Sequence, residues 1–313
     1  MAPRRILVTG AAGFVGSHLL PVLRESFPAS EITPASLAAR AGFRVLDITD
    51  PNGVASLVRA VQPHACIHLA AIAAIATARD DPDLAWRVNL HGTLSVARAL
   101  LNIVPDCTLL FVSSSDIYGA SFRTGRALDE TALLAPLNTY SATKAAADLA
   151  LGALASEGLR VVRLRPFNHT GAGQSPDFVV PAFARQIARI REGQQEPVIR
   201  AGALDRERDF MDVRDVCAAY AACVARADTI EPGTILNLAS GTSRRVGDVL
   251  EQLLALAGVN ARIETEANLL RSADIAVAVG DASRARALLD WEPRIPWQTT
   301  LMNVLADWQT RLS

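Results

Sequence analysis

Tyr140 and Lys144 stand four residues apart in Tyr140-Ser-Ala-Thr-Lys144, and Lys144 is the only lysine of the chain. Lys and Arg together number 31, so every other cationic side chain is arginine. A site that keeps lysine against that bias asks for what arginine lacks: a compact ammonium with rotatable donors and a tunable pKa. A spacing of four places both side chains on one face of a helix. A unit charge about 4–5 Å from the phenol, at an effective dielectric near ~20, contributes about 3–4 kcal/mol. That equals roughly 2–3 pKa units, enough to draw a tyrosine from about 10 towards neutrality as a proton donor.

A second feature sits near the start of the chain. Val8-Thr-Gly10-Ala-Ala-Gly13-Phe-Val-Gly16 follows the apolar run Arg5-Ile-Leu-Val-Thr9 and opens a helical pattern. In that context the first glycine permits a tight turn, the second lets backbone N–H groups approach a pyrophosphate, and the third allows close helix–strand packing. An NAD-preferring site would place Asp or Glu where the second strand ends. Glu31 instead starts that strand, and Ser36 and Arg40 near its end are suited to a 2′-phosphate. NADP (as NADPH) is therefore the expected cofactor, with NAD possible. Asp47 and Ile48 suit either an adenine-edge contact or a helix N-terminal turn.

These residues need a scaffold, and the chain patterning supplies one. Strand-like runs at Arg5–Thr9, Ala65–Ala70, Leu109–Ser113 and Arg160–Arg165 alternate with helical patterns from Gly16 to Arg24, Asp83–Leu101 and Tyr140–Ser156. Such alternation predicts an α/β fold with a doubly wound parallel sheet of Rossmann type. Past Pro166 the texture changes: loops at 171–177 and 193–197 flank a helix at Val180–Ile190. Val213–Ala225 (helix) and Thr234–Leu238 (strand) return to the first unit. The expected division is 1–169 plus 213–240 for the dinucleotide, and 170–212 plus 241–313 for a smaller mixed α/β substrate lobe ending in a helix at Thr300–Arg311.

Composition narrows the partners. Hydrophobic residues make up 50% of the chain, enough for a large core without staples. The formal net charge is −1, with both signs interspersed, which points away from nucleic acid and anionic membranes. No apolar run reaches spanning length, and residues 1–30 carry turn chemistry rather than a signal sequence. Cys66, Cys107, Cys217 and Cys223 lack CxxC spacing and read as reduced core residues of a cytoplasmic protein. His64 and His68 are four apart, but Pro63 and the run Cys66-Ile-His-Leu-Ala70 indicate a strand, where that spacing forms no chelate. No metal site is expected.

Gly10-x-x-Gly13-Phe-x-Gly16, His68-Leu-Ala-Ala71, Asn89-Leu-x-Gly92-Thr, Ser113-Ser-Ser-Asp-Ile-Tyr-Gly119, Tyr140-x-x-x-Lys144 and Arg165-Pro-Phe-Asn168 occur in that order. Together they resemble the extended short-chain dehydrogenase/reductase family, nucleotide-sugar branch, over essentially the whole chain. The resemblance implies that Ser114 hydrogen-bonds the substrate oxygen and Tyr140 relays a proton to it. Lys144 would hold the nicotinamide ribose and act on the phenol. Asn89 would support this region, with a helix-internal hydrogen bond as the alternative. It further implies cofactor contacts from Gly10, Gly13, Phe14, Val15 and Gly16, from Leu69, Ala70 and Ala71, and from Pro166 and Phe167.

The second half resembles the GDP-6-deoxy-4-keto-mannose reductases at 165–174, 178–187, 208–215 and 270–275. By that resemblance Asn168 and the backbone at Val179 and Val180 meet the nucleotide sugar, together with Ser115, Asp116, Arg185 and Asp274. Arg208 and Arg271 would clamp the diphosphate, a task that suits the guanidinium fork. The implied reaction is NADPH-dependent reduction of the C4 keto group of GDP-4-keto-6-deoxy-D-mannose to GDP-D-rhamnose or its 6-deoxytalose epimer. The alternatives are a nucleotide-sugar 4-epimerase and a GDP-mannose 4,6-dehydratase, in which Asp116 stands where a dehydratase places Glu. A non-catalytic dinucleotide-binding regulator is the remote reading. Pairing as a homodimer through helices near 85–100 and 140–156 is also implied.

Overall fold

The computed structural model describes residues 3–266 and 275–312. Its first half runs β1 (Arg5–Thr9), α1 (Phe14–Ser26), β2 (Glu31–Ser36), β3 (Arg44–Val45), α2 (Pro51–Val61), β4 (Ala65–His68), α3 (Ile75–Asp80) and α4 (Pro82–Trp86). A π-helical turn, Arg87–Gly92, leads into α5 (Thr93–Ile103), β5 (Thr108–Val112), a 3-10 segment Ser115–Thr124, and α6 (Thr139–Ser156). Then come β6 (Val161–Pro166), β7 (Asn168–Thr170), α7 (Val179–Arg191), β8 (Val198–Ala201), β9 (Glu207–Asp212) and α8 (Val213–Ala225). β10 (Ile235–Leu238), β11 (Ser243–Arg245), α9 (Val246–Ala257), β12 (Arg262–Thr265), β13 (Val277–Ala278), α10 (Ser283–Leu289) and α11 (Trp297–Leu312) complete the described chain.

Seven strands form one sheet in the order β10-β6-β5-β4-β1-β2-β3, and every pairing in it is parallel. Its inner strands are apolar on both faces because helices cover both. Ile6, Leu7 and Val8 of β1 and Leu109, Leu110 and Phe111 of β5 are all buried. One face packs against α1 and α8, the other against α2, α5 and α6. Strand order reverses between β1 and β4, so a crevice opens there at the carboxyl ends of the strands, where α/β sheets take their ligands. This is the Rossmann arrangement expected from the alternating pattern.

A separate apolar cluster lies in the remainder, built from α7, α9, α11, Ile199, Ala201 and Phe210. Smaller sheets accompany it: β11-β9-β13, with β7 added to β9, and the pair β12-β8. The parallel pairing of β7 with β9 brings Asn168 opposite Phe210 at the sheet's edge.

The 83–101 helix of the sequence pattern is broken by the π turn. The Thr93 hydroxyl donates back to the Asn89 carbonyl at 2.7 Å, and a Cβ at Gly92 would meet Ile48 at 2.7 Å. A hydroxyl competing for a helix carbonyl and a tight side-chain contact are sources of such a bulge. β4 stops at His68, short of the Ala70 expected, and α11 starts earlier than expected, at Trp297.

Candidate active site

The turn Gly10–Gly16 joins β1 to α1 beside the reversal point. Gly10 has φ +67, and a Cβ there would lie 2.6 Å from the Ala70 amide nitrogen, so glycine is needed both for the turn and for the approach of the β4 loop. A Cβ at Gly16 would lie 2.3 Å from the Ala11 carbonyl oxygen, which keeps the helix close to its own turn. Gly13 caps α1 without any side-chain hydrogen bond, and the first turn carries no acid. The leading N–H groups of α1 are thus left for an anion, which fits a dinucleotide pyrophosphate.

Tyr140 owes its position to a capping box. Asn138 Oδ1 accepts from the Ser141 N–H at 2.9 Å, and Ser141 Oγ accepts from the Asn138 N–H at 3.2 Å. The phenol is therefore held in the first turn of α6, with Lys144 one turn on. Facing it, at the end of β5, Ser114 Oγ accepts the Asp116 N–H at 3.1 Å, which leaves the hydroxyl proton free to donate. The Tyr140 phenol hydrogen-bonds the Ser114 side chain, and the Asp116 carboxylate acts on the same phenol.

Burial pushes Tyr140 above the ordinary tyrosine value, and the negative charge of Asp116 pushes it further up; the Ser114 hydrogen bond works against both. Burial also holds Lys144 down at about 7, with Asp148 acting in the opposite direction. The expected lowering of Tyr140 by Lys144 is thus not what the protein's own groups produce. The reason is where the ammonium goes: Nζ donates to the Val112 carbonyl and sits 4.5 Å above the Phe111 ring centroid. Tyr140 accordingly stays protonated at neutral pH, as a proton donor must.

Beneath Lys144 lies a buried ionic cluster. The Asp148 side chain is fully buried and takes Arg165 through both oxygens, at 2.9 and 3.1 Å, and Arg163 at 3.2 Å. Arg165 also donates to the Tyr118 hydroxyl at 3.0 Å, which in turn donates to Asn237 Oδ1 at 2.7 Å. Burial keeps Tyr118 up at about 12, so it remains a donor. These contacts tie α6, the 3-10 segment, β6 and β10 together behind the site. Asp148 escaped notice in the sequence, although its place four residues after Lys144 on a helix was a usable signal.

Asn89 is buried, and its side-chain amide brackets Ile72. Oδ1 accepts from the Ile72 N–H at 2.8 Å, while Nδ2 donates to the Ile72 carbonyl at 3.1 Å and to Thr143 Oγ1 at 3.0 Å. The Asn89 side chain thus bonds outside its own helical turn, to the loop after β4 and to α6. Ser36 is buried at the end of β2 and donates to Ala38 O; Arg40 is exposed with its guanidinium over Phe43, and Glu31 begins the strand as expected. Asp47 accepts from the N–H and hydroxyl of Thr49, while Ile48 is buried against Gly92. The Asp47 carboxylate is thus engaged in a local turn.

Phe14 stacks with His169 at 6.4 Å, and His18 reaches the Ala172 carbonyl at 2.7 Å, so α1 touches the loop that follows β7. Phe167 is fully buried beside Gly280, and Pro166 ends β6. Leu69, Ala70, Ala71 and Val15 are partly exposed near the turn. Asn168 is exposed and Ser115 buried. Val180 and Val179, in the first turn of α7, pack into the apolar cluster of the second half. Arg185 is half-buried on α7. Arg208 donates to the carbonyls of Glu207 and Ile275, both at 2.8 Å. Arg271 and Asp274 lie outside the described residues. No helix among the described residues is long and apolar enough to cross a membrane.

Known proteins share this arrangement. Over 310 residues the chain is 34% identical to the GDP-6-deoxy-D-mannose reductase of Pseudomonas aeruginosa, covering 99% of this chain and 98% of that one. It is 29% identical to the GDP-6-deoxy-D-talose 4-dehydrogenase of Aggregatibacter actinomycetemcomitans, covering 90% and 89%. The solved structure of RMD from Pseudomonas aeruginosa complexed with NADPH superposes with a TM-score of 0.87 at 33% identity, covering 98% of each chain. Residues 6–239 match the NAD dependent epimerase/dehydratase family, and the chain belongs to that family.

Proposed function

We propose that this protein is an NADPH-dependent oxidoreductase that reduces the C4 keto group of GDP-4-keto-6-deoxy-D-mannose to GDP-D-rhamnose, or to its 6-deoxytalose epimer. The observation that carries the reading is the Tyr140 phenol hydrogen-bonded to Ser114, one helical turn from Lys144. The relatives named above act on GDP-linked 6-deoxyhexoses, and the superposed structure holds NADPH.

The α1 N-terminus, with Gly10, Gly13 and Gly16, would hold the pyrophosphate, and Ser36 and Arg40 the 2′-phosphate. When bound, NADPH supplies the hydride for C4 of the keto sugar. Ser114 donates to the sugar carbonyl with the proton left free by its Asp116 contact. Tyr140 delivers its own proton to the oxygen as charge develops there. Lys144 would hold the nicotinamide ribose. Asn168, Val179, Val180, Arg185 and Arg208 would hold the sugar nucleotide, with Arg208 at the diphosphate. The supporting division of labour is 1–169 plus 213–240 for the dinucleotide and the remainder for the sugar nucleotide.

Turnover of NADPH by GDP-4-keto-6-deoxymannose, and its loss in Tyr140→Phe, tests the reading; no oxidation by the wild type refutes it. The carboxylate of Asp116 beside the phenol supports a second reading, the 4,6-dehydratase. That enzyme would consume GDP-mannose with no net loss of NADPH. We also propose a cytoplasmic homodimer through α5 and α6, supported by Leu149 on α6 at 60% exposure. Chromatography at micromolar concentration checks it.

A further inference from the structure

We infer that His68 is a positioning residue, which links the strand before the glycine turn to the backbone of Tyr140 through a buried run of hydrogen bonds. The inference rests on the proposed role of Tyr140.

The run starts at the end of β1. Thr9 Oγ1 and His68 Nδ1 are 2.7 Å apart, and His68 Nε2 lies 3.0 Å from Thr93 Oγ1. Thr93 donates to the Asn89 carbonyl at 2.7 Å. The Asn89 side chain donates to Thr143 Oγ1 at 3.0 Å, and Thr143 donates to the Tyr140 carbonyl at 2.8 Å. Thr9, His68, Thr93, Asn89 and Thr143 are all buried, at 1% exposure or less.

Donor counting fixes the direction. A hydroxyl has one proton. Thr93 spends its own on Asn89 O, so His68 Nε2 must donate to Thr93. His68 Nδ1 is then the acceptor, and the Thr9 hydroxyl donates to it. Burial holds His68 down at about 3, so the ring stays neutral and this tautomer persists at neutral pH. Each proton in the run has one destination, so no member can turn without leaving a buried polar group unpaired.

The link crosses β1, β4, the start of α5, the π turn and α6. Thr9 precedes Gly10, and its Oγ1 also faces the Ala70 N–H at 3.5 Å. The far end is the carbonyl of Tyr140 itself. Between them Asn89 contributes its backbone to one neighbour and its side chain to the next, so the π turn is the element through which displacement passes. His68 thus sets the register between the dinucleotide turn and the phenol without touching either reacting group.

The test uses Thr93→Val and Thr143→Val, which remove one hydroxyl each at nearly constant volume, and the double variant. Each single change should raise amide exchange over 139–145 about fivefold and lower kcat by a similar factor. KM for both substrates should stay within about twofold, since no contact to either is removed. The double variant should be no worse than the worse single, because a broken link cannot be broken twice. Thr93→Ser and Thr143→Ser keep the hydroxyl and should recover most of the loss. His68→Leu should match the valine variants, and His68→Gln, which keeps a donor and an acceptor, should lose less than His68→Leu. Multiplying effects in the double variant, or loss confined to melting temperature, overturns the inference. Exchange needs no substrate, so it decides the link even if the NADPH turnover assay sinks the proposed chemistry.

Discussion

Replacing Lys144 by methionine should abolish turnover and yet make the protein more stable at neutral pH. Lys144 is 4% exposed, and burial holds its ammonium at about 7 against an ordinary 10.5. A base whose folded pKa lies below its unfolded one binds more protons in the unfolded chain between the two values, so stability rises with pH across that window. Near pH 7 the buried ammonium costs about 4 kcal/mol, and near pH 9 about 2 kcal/mol. Methionine keeps the apolar stem over Phe111 and gives up one hydrogen bond, to the Val112 carbonyl, worth about 1 kcal/mol. The variant should therefore be more stable by about 3 kcal/mol near pH 7 and about 1 kcal/mol near pH 9. Urea unfolding of both proteins at a series of pH values in that range gives the difference directly. A gap that does not narrow with rising pH refutes the titration of Lys144 as its source. A variant less stable than the wild type near pH 7 refutes the dominance of burial.

Three other outcomes follow from the geometry. Asp148→Asn leaves the buried guanidinium of Arg165 and the partly buried one of Arg163 without their anion and should cost about 3–5 kcal/mol, read by denaturant unfolding; a loss below about 1 kcal/mol would mean the cluster relaxes freely. Gly16→Ala pushes a Cβ to 2.3 Å from the Ala11 carbonyl, so α1 must shift. It should cost about 1–3 kcal/mol and weaken NADPH binding in a fluorescence titration, whereas unchanged affinity would detach the turn from the dinucleotide. Arg40→Ala should weaken NADPH by about tenfold and leave NADH unchanged; equal effects on the two would exclude a 2′-phosphate contact.

The legible parts of this chain were those where local chemistry and tertiary role coincide. The β1 turn reads from its glycines because only glycine fits at Gly10 and Gly16, and α8 reads from end to end as an apolar helix buried on all but one narrow stripe. Tyr140 and Lys144 read from spacing and Ser114 from the family resemblance, and the start of α6 and the end of β5 bring Tyr140 and Ser114 together. The charge state did not read. Helical spacing says that Lys144 and Tyr140 share a face, but the ammonium's destination depends on the carbonyl of Val112 and the ring of Phe111, more than 30 positions away. The π turn was hidden for a similar reason: the pattern over Asp83–Leu101 is helical, and only the contact of Gly92 with Ile48 and the Thr93 back-bond break it. Thr143 was passed over because a threonine inside a helix carries no signal of its own partner.

The order of the strands has a consequence for how the molecule comes into being. β10 pairs with β6 at the sheet's edge, and α8 covers the same face as α1, yet both follow β7, α7, β8 and β9 in the chain. A nascent chain that has emerged only through β6 holds six of the sheet's seven strands while Leu19, Leu20 and Leu23 of α1 still await α8. Synthesis from the amino end therefore exposes this apolar face until more than two thirds of the chain has been made. Folding rate should be set by that late, long-range docking. Fragments ending before Val213 should collect as aggregates where the full chain does not.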